Sequence, residues 1–281
     1  MMVTTNTSMT KKIIHGIIPA VLLTLAVGSI YAFSLFVEPI SAIIGSTVVQ
    51  TQFAFSLGIF FLGMGAAFFG PLVEKNIKAS TILGTCLFLI GFVVTQLSIQ
   101  FHNIWLLYLG YGAIVGTSTG IIYISPVKTM MMWFKSKPGI ASAISIISFG
   151  FGASLCSYLF KLLYPTYGIE KIFYAMSVVY AIMMIVGSIL LKKPIAEKQT
   201  IALNKTEKFS RLKFFWENSW CRKAWLFMFL NISAGLALIG CAASILKNIG
   251  YSQEFAVLIV ALMGVSNTLG RFLFDWFGDM M

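Results

Sequence analysis

The chain has 281 residues, of which 58% are hydrophobic and only 10% charged, against roughly 25% charged in a soluble domain. That balance excludes a water-soluble fold. Twenty Lys and Arg against nine Asp and Glu leave a formal charge of +11, but the bases stand between long apolar runs rather than on polar surface, which points to a multi-span membrane protein and away from a nucleic-acid binder.

A bilayer core about 30 Å thick needs about 20 consecutive apolar residues at helical rise. Eight runs meet that length, at about 14–37, 50–70, 80–99, 104–127, 139–161, 170–191, 221–246 and 254–275. The first follows Lys11 and Lys12 and has the outline of a secretory signal; because similar runs follow it, it reads as the first span. None shows the alternation of a barrel strand. The expected fold class is therefore all-α, a polytopic helical bundle.

Short basic loops stay in the cytoplasm, so the distribution of Lys and Arg tests the span count. Sixteen of the twenty fall on the N-terminal side: Lys11, Lys12, Lys75, Lys78, Lys128, Lys135, Lys137 and nine more between Lys192 and Lys223. The other side holds Lys161, Lys171 and Lys247, and Arg271 lies within the last run. This asymmetry agrees with an even number of spans and sets the N-terminus in the cytoplasm. The pattern divides into a six-helix half (1–191), a basic cytoplasmic linker (192–220) and two helices opening a second half (221–281), the layout of a transporter built from repeated halves. With two helices after the linker, the chain reads as truncated after the eighth helix.

Little in the chain suggests catalysis. Cys86, Cys156, Cys221 and Cys241 lack paired spacing and read as small apolar filler. His15 and His102 have no second metal ligand at a suitable spacing and read as interfacial. No glycine loop followed by Lys-Ser or Lys-Thr is present to hold a nucleotide phosphate. Neither a cofactor nor an enzymatic activity is expected.

Packing and gating signals come next. Gly112, Gly116 and Gly120 recur every four residues in the fourth run, so they share one helical face and admit a close neighbour. Between the second and third runs stands Gly70-Pro71-Leu72-Val73-Glu74-Lys75-Asn76-Ile77-Lys78, where an acid at a helix end can pair with nearby bases and lock one side of a bundle. Gly70, Leu72, Glu74, Lys75 and Lys78 resemble the loop motif of the major facilitator superfamily, with Ile77 where its second glycine belongs.

A second set of residues narrows the resemblance. Tyr31-Ala32-Phe33-Ser34-Leu35-Phe36 with Pro39 closes the first run, and Tyr111, Gly112, Gly116, Gly120 and Tyr123 fill the fourth. Trp133-Phe134 with Lys137, Gly139 and Ala141 leads into Gly150 and Gly152. Together these are similar to the oxalate/formate antiporter family and, more distantly, the monocarboxylate transporters. The resemblance implies that Tyr31 and Tyr123 line a central cavity. Ile30 replaces the polar residue that precedes this tyrosine in oxalate carriers, and Leu35 stands where monocarboxylate transporters have a lysine, so oxalate itself is not the expected cargo.

The eighth run carries Asn267-Thr268-Leu269-Gly270-Arg271. A cation at the centre of a span costs about 2.5–3.5 kcal/mol on insertion scales, and a guanidinium recovers most from a carboxylate, which accepts two parallel hydrogen bonds. Two partners are open. The family resemblance implies an anionic substrate at Arg271. Asp275, four residues on and a departure from the family pattern, offers an ion pair on the same helical face or a protonatable group coupling transport to a proton. Asp279 resembles the acid of a second loop motif.

The function expected is a secondary active transporter of small organic anions, mono- or dicarboxylates, by antiport or proton symport in the cell membrane. The partners expected are that anion and the lipid bilayer, with the chain monomeric. The alternatives are a non-transporting remnant of such a carrier and, further off, a membrane-embedded enzyme or channel.

Overall fold

The computed structural model describes residues 9–135, 138–194 and 211–278, and for 138, 140–142, 211–213, 271–272 and 274–278 it describes the backbone alone. Asp279, Lys137 and the linker stretch 195–210 lie outside the described residues. All regular structure described is helical: α1 (Met9–Ala32), α2 (Ser34–Ile44), α3 (Val48–Lys75), α4 (Ile77–Gln100), α5 (Ile104–Trp133), α6 (Pro138–Leu190), α7 (Arg211–Glu217), α8 (Ser219–Asn248) and α9 (Gln253–Gly278). Seven of these are long and apolar enough to cross a membrane.

The seven helices accommodate the eight apolar runs because α6 is double length. Its 53 residues extend about 80 Å at helical rise, more than twice the hydrocarbon thickness. The chain breaks at Gly168 (φ 68, ψ 177), a region of backbone space open essentially to glycine. The sixth run therefore follows the fifth across a one-residue turn. A second difference concerns the linker, where α7 gathers Phe214, Phe215 and Trp216. It is too short to span, and Phe215 sets its ring edge-on to Trp225 at the start of α8 (6.2 Å).

Helix ends follow local chemistry. Thr47 and Gln50 form a reciprocal capping box at the start of α3, with Gln50 N donating to Thr47 Oγ1 at 3.2 Å and Thr47 N donating to Gln50 Oε1 at 2.9 Å. Asn76, Asn103 and Asn218 cap α4, α5 and α8. Within the spans, hydroxyls bend back onto their own helix because hydrocarbon offers no water. Thr24 Oγ1 donates to Ala20 O (2.7 Å), Thr95 Oγ1 to Gly91 O (2.7 Å) and Thr129 Oγ1 to Ser125 O (2.8 Å).

Small residues set the helix contacts. A Cβ on Gly116 would meet Gly58 O at 2.6 Å and one on Gly120 would meet Leu62 O at 2.2 Å, so α5 lies backbone to backbone on α3. The same holds for α1 and α6, where a Cβ on Gly28 would lie 1.9 Å from Phe149 O. The core runs through Leu23, Val27, Phe33, Phe88, Phe160 and Tyr180. Large apolar side chains such as Phe60, Phe68, Ile90 and Ile182 face outward, toward the lipid.

Candidate central cleft and its rims

The first six runs pack against one another, and α8 and α9 lean against them. α9 approaches α6 closely. Ser154 Oγ donates to Ala261 O at 2.9 Å, and a Cβ on Gly264 would lie 2.9 Å from Gly150 O. Thr268, buried, turns its hydroxyl onto Gly264 O (2.9 Å) opposite Gly150.

Tyr31 reaches this junction through a local change of helix type. Ser29–Ala32 is a 3-10 turn in α1, held by Ser29 Oγ donating to Ala26 O at 2.7 Å. The tyrosine ring stands edge-on to Phe149 of α6 (5.1 Å, 82°), and Tyr123 of α5 stands edge-on to the same ring (5.3 Å, 79°). One phenylalanine thus holds both tyrosines named from the sequence. Beside Tyr31 is a small cavity, about 10 Å³, closed by Ile239 of α8 and by Val260, Met263 and Asn267 of α9. Asn267 was not among the site residues named from the sequence. Its signal was there, since it lies four residues before Arg271 and the register of α9 puts the two backbone positions on one face. The side chains of Arg271 and Asp275 lie outside the described residues.

The loop-motif residues sit elsewhere, on the rim that carries the N-terminus. Glu74 Oε1 pairs with Lys128 Nζ of α5 at 2.6 Å, and Lys193 Nζ donates to Glu74 O at 3.4 Å. Lys78 donates to the Ser188 and Ile189 carbonyls, neutralising the C-terminal end of α6. His15 Nδ1 lies 3.0 Å from Leu190 O and Trp133 Nε1 donates to Lys192 O at 2.8 Å. Glu74 and Lys78 thus tie the ends of α3 and α4 to α5, to the end of α6 and to the first residues after it. Gly70, Leu72 and Lys75 lie at the surface of α3, and a Cβ on Gly70 would meet nothing. Gly112 belongs with Gly116 and Gly120 in the seam against α3, facing Leu57.

At the opposite rim, Glu38 of α2 forms an ion pair with Lys247 near the end of α8. Gln52 of α3 donates its Nε2 to Gly240 O at 2.6 Å. His102 Nδ1 lies 2.6 Å from Ile43 O. Among the described residues, no group of three His, Cys, Asp or Glu is placed to hold a metal ion.

Residues 18–281 match the sequence pattern of the Major Facilitator Superfamily. The chain belongs to that superfamily. It is also 26% identical over 268 residues to YhjX of Escherichia coli K12, described as an uncharacterized MFS-type transporter. That match covers 94% of this chain and 65% of the relative, so the chain spans about two thirds of the relative's length. Superfamily membership agrees with the helical bundle and makes the chain a multi-pass membrane protein.

Proposed function

We propose that the chain carries small organic anions, mono- or dicarboxylates, across the cytoplasmic membrane by antiport or proton symport with alternating access. The observation that carries this reading is the junction of the two bodies, which here is closed around a cavity of about 10 Å³. Tyr31 and Asn267 line one cavity where α1 and α6 meet α8 and α9, and Arg271 follows Asn267 by one helical turn. An anion entering there would meet a guanidinium in a low-dielectric setting, where opposite charge counts most, while Tyr31 and Tyr123 supply hydroxyl donors. The resemblance to the oxalate/formate antiporters supports the same class of cargo.

In this reading residues 1–191 and 221–281 are the two bodies that rock about the cleft, joined by the basic linker 192–220, and the carrier works as a monomer. Asp275 holds Arg271 when the site is empty, or passes the coupling proton. The excess of Lys and Arg on the side of Lys78 and Lys128 supports a cytoplasmic N-terminus.

The test is uptake of a panel of radiolabelled mono- and dicarboxylates into proteoliposomes, with Arg271→Ala and Arg271→Lys beside the parent. Uptake of at least one acid by the parent, abolished in Arg271→Ala and poorly restored by Lys, is the expected result, because an ammonium cannot offer the guanidinium's planar fork. Uptake undiminished in Arg271→Ala removes that residue from the mechanism; a parent that takes up none of the acids removes the cargo class.

A further inference from the structure

A second cavity lies within the first six runs, apart from the one beside Tyr31. It holds about 20 Å³, and no residue of α8 or α9 lines it. Its walls are largely aromatic: Phe92 and Phe173 meet at 5.5 Å, and Phe33 stacks on Tyr111 at 4.2 Å. Four polar side chains nevertheless open onto it, Ser29 of α1, Tyr111 of α5, and Cys156 and Tyr180 of α6.

The cavity falls where two helices depart from α geometry. Ser29 begins the 3-10 turn Ser29–Ala32, and Tyr111 lies in a π-helical stretch of α5, Tyr108–Val115. The two segments are joined by Tyr111 Oη, which donates to Ile30 O at 3.4 Å. Irregular segments of this kind arise where a side chain or a water enters the regular ladder of helix hydrogen bonds.

The hydrogen bonds around the cavity are unbalanced. Ser29 directs its proton to Ala26 O (2.7 Å) and Tyr111 directs its own to Ile30 O, so each has only lone pairs left for the cavity. Tyr180 is 0% exposed, and its hydroxyl has no hydrogen-bond partner among the described residues. Ser29 and Cys156 face it across the space without closing a bond. A buried hydroxyl in that state is costly. One free donor and two free acceptors around a gap are the complement of a water, which typically makes about three hydrogen bonds when buried. Size agrees, since a water needs about 10–15 Å³ whereas a benzene-sized guest needs about 150 Å³.

We propose that this cavity is a water-binding site: one ordered water accepts from Tyr180 Oη and donates to Ser29 Oγ and Tyr111 Oη, tying α1, α5 and α6 together at the turn that carries Tyr31. Cys156 Sγ, 1% exposed, adds a weaker contact. The water is a fixed part of the first six runs, separate from any solute beside Tyr31, and its site stands whichever solute the chain carries.

X-ray radiolytic labelling of the purified protein in detergent is the test, because radicals formed from a bound water oxidise the buried side chains next to it. Met176 lines the cavity and is 4% exposed, while Met130 and Met184, both 0% exposed, stand outside it and serve as dry references. Met176 should be oxidised several-fold faster than either. Tyr180→Phe removes the donor and Ser29→Ala one acceptor, and each should slow Met176 toward the references. Tyr180→Phe should also lower the unfolding midpoint by a few degrees; a hydroxyl in a dry cavity would be better lost, and the midpoint would then hold or rise. Met176 oxidised no faster than the references overturns the site, as does a Tyr180→Phe midpoint at or above the parental one. Fast oxidation that neither variant slows overturns it too, since the water would then be held by other groups. If Tyr180→Phe fails to fold, Ser29→Ala decides the labelling comparison.

Discussion

Replacing Gly120 by alanine is the sharpest test of how α5 and α3 are held together. A Cβ there would lie 2.2 Å from Leu62 O, 2.6 Å from Ala66 N and 3.1 Å from the carbonyl carbon of Gly65. Carbon-to-oxygen contacts settle near 3.3 Å, so the helices must part by about 1 Å. All three neighbours are backbone, which cannot rotate away as a side chain would. Overpacking costs typically 1–3 kcal/mol, and a clash with backbone belongs at the top of that range. The gain in helix propensity of alanine over glycine, about 1 kcal/mol, offsets part of it. The net is a loss of roughly 2 kcal/mol, or a fall of roughly 5 °C in the unfolding midpoint of purified protein in detergent. Gly63→Ala, in the same seam-forming helix but with nothing within 4 Å of its Cβ, should be neutral or slightly stabilising. A Gly120→Ala variant as stable as the parent, or a Gly63→Ala variant equally damaged, would refute the reading of this seam as backbone contact.

Two further outcomes are expected. Gly168→Ala should lower the unfolding midpoint measurably, because the backbone conformation there (φ 68, ψ 177) costs a residue with a Cβ about 1–3 kcal/mol; Gly235→Ala, in open helix with nothing within 4 Å, is the control that should not. Tyr31→Phe and Tyr123→Phe keep the rings that meet Phe149 but lose the hydroxyl. Each should raise KM for a transported acid by about two- to tenfold, the equivalent of one hydrogen bond, and an unaltered KM in both would take the tyrosines out of the site.

The parts of the molecule governed by local physics could be read from the residues alone. Run length and the lopsided distribution of Lys and Arg led to a helical membrane bundle because hydrocarbon permits few other ways to satisfy a backbone. The spacing of Gly112, Gly116 and Gly120 placed them on a common face, and that face is where α3 lies. The turn near 161–171 was foreseen from its charges. That it would narrow to Gly168, with helix running through Pro165, depended on a single backbone angle that composition does not encode. The short helix α7 was missed because seven residues carry too weak a period; its aromatic cluster was the available sign.

Contacts between distant segments were least legible. Glu38 and Lys247 could be assigned to the same side of the membrane, but 209 residues separate them, and only the packing of α8 across α2 makes them partners. Glu74 has a similar lesson, since the acid of the loop motif meets Lys128 of α5, a residue with no place in the motif. Asn267 was passed over because Arg271, one turn later, drew the functional argument to itself. An amide inside an apolar wall is costly unless paired, and that reasoning applied to Asn267 as well as to its charged neighbour.

The arrangement around Phe149 ties stability to function in a way that one substitution can separate. Its ring is 2% exposed and stands nearly perpendicular to Tyr31 and Tyr123 at 5.1 and 5.3 Å, two contacts each adding about 0.5–1.5 kcal/mol beyond burial. Phe149→Ala would open a cavity and cost about 3–5 kcal/mol, confounding any effect on transport with loss of fold. Phe149→Leu keeps most of the volume while removing the aromatic face, so the midpoint should fall by less than that while both tyrosine rings lose their common anchor. KM for a transported acid should then rise at least as much as in the single Tyr→Phe variants, because two hydroxyls are misplaced at once. Adding Tyr31→Phe to Phe149→Leu should produce less than the product of the separate effects, since a hydroxyl already displaced has little left to lose. Full multiplicativity would mean that Phe149 and Tyr31 act independently and that the shared ring is packing alone.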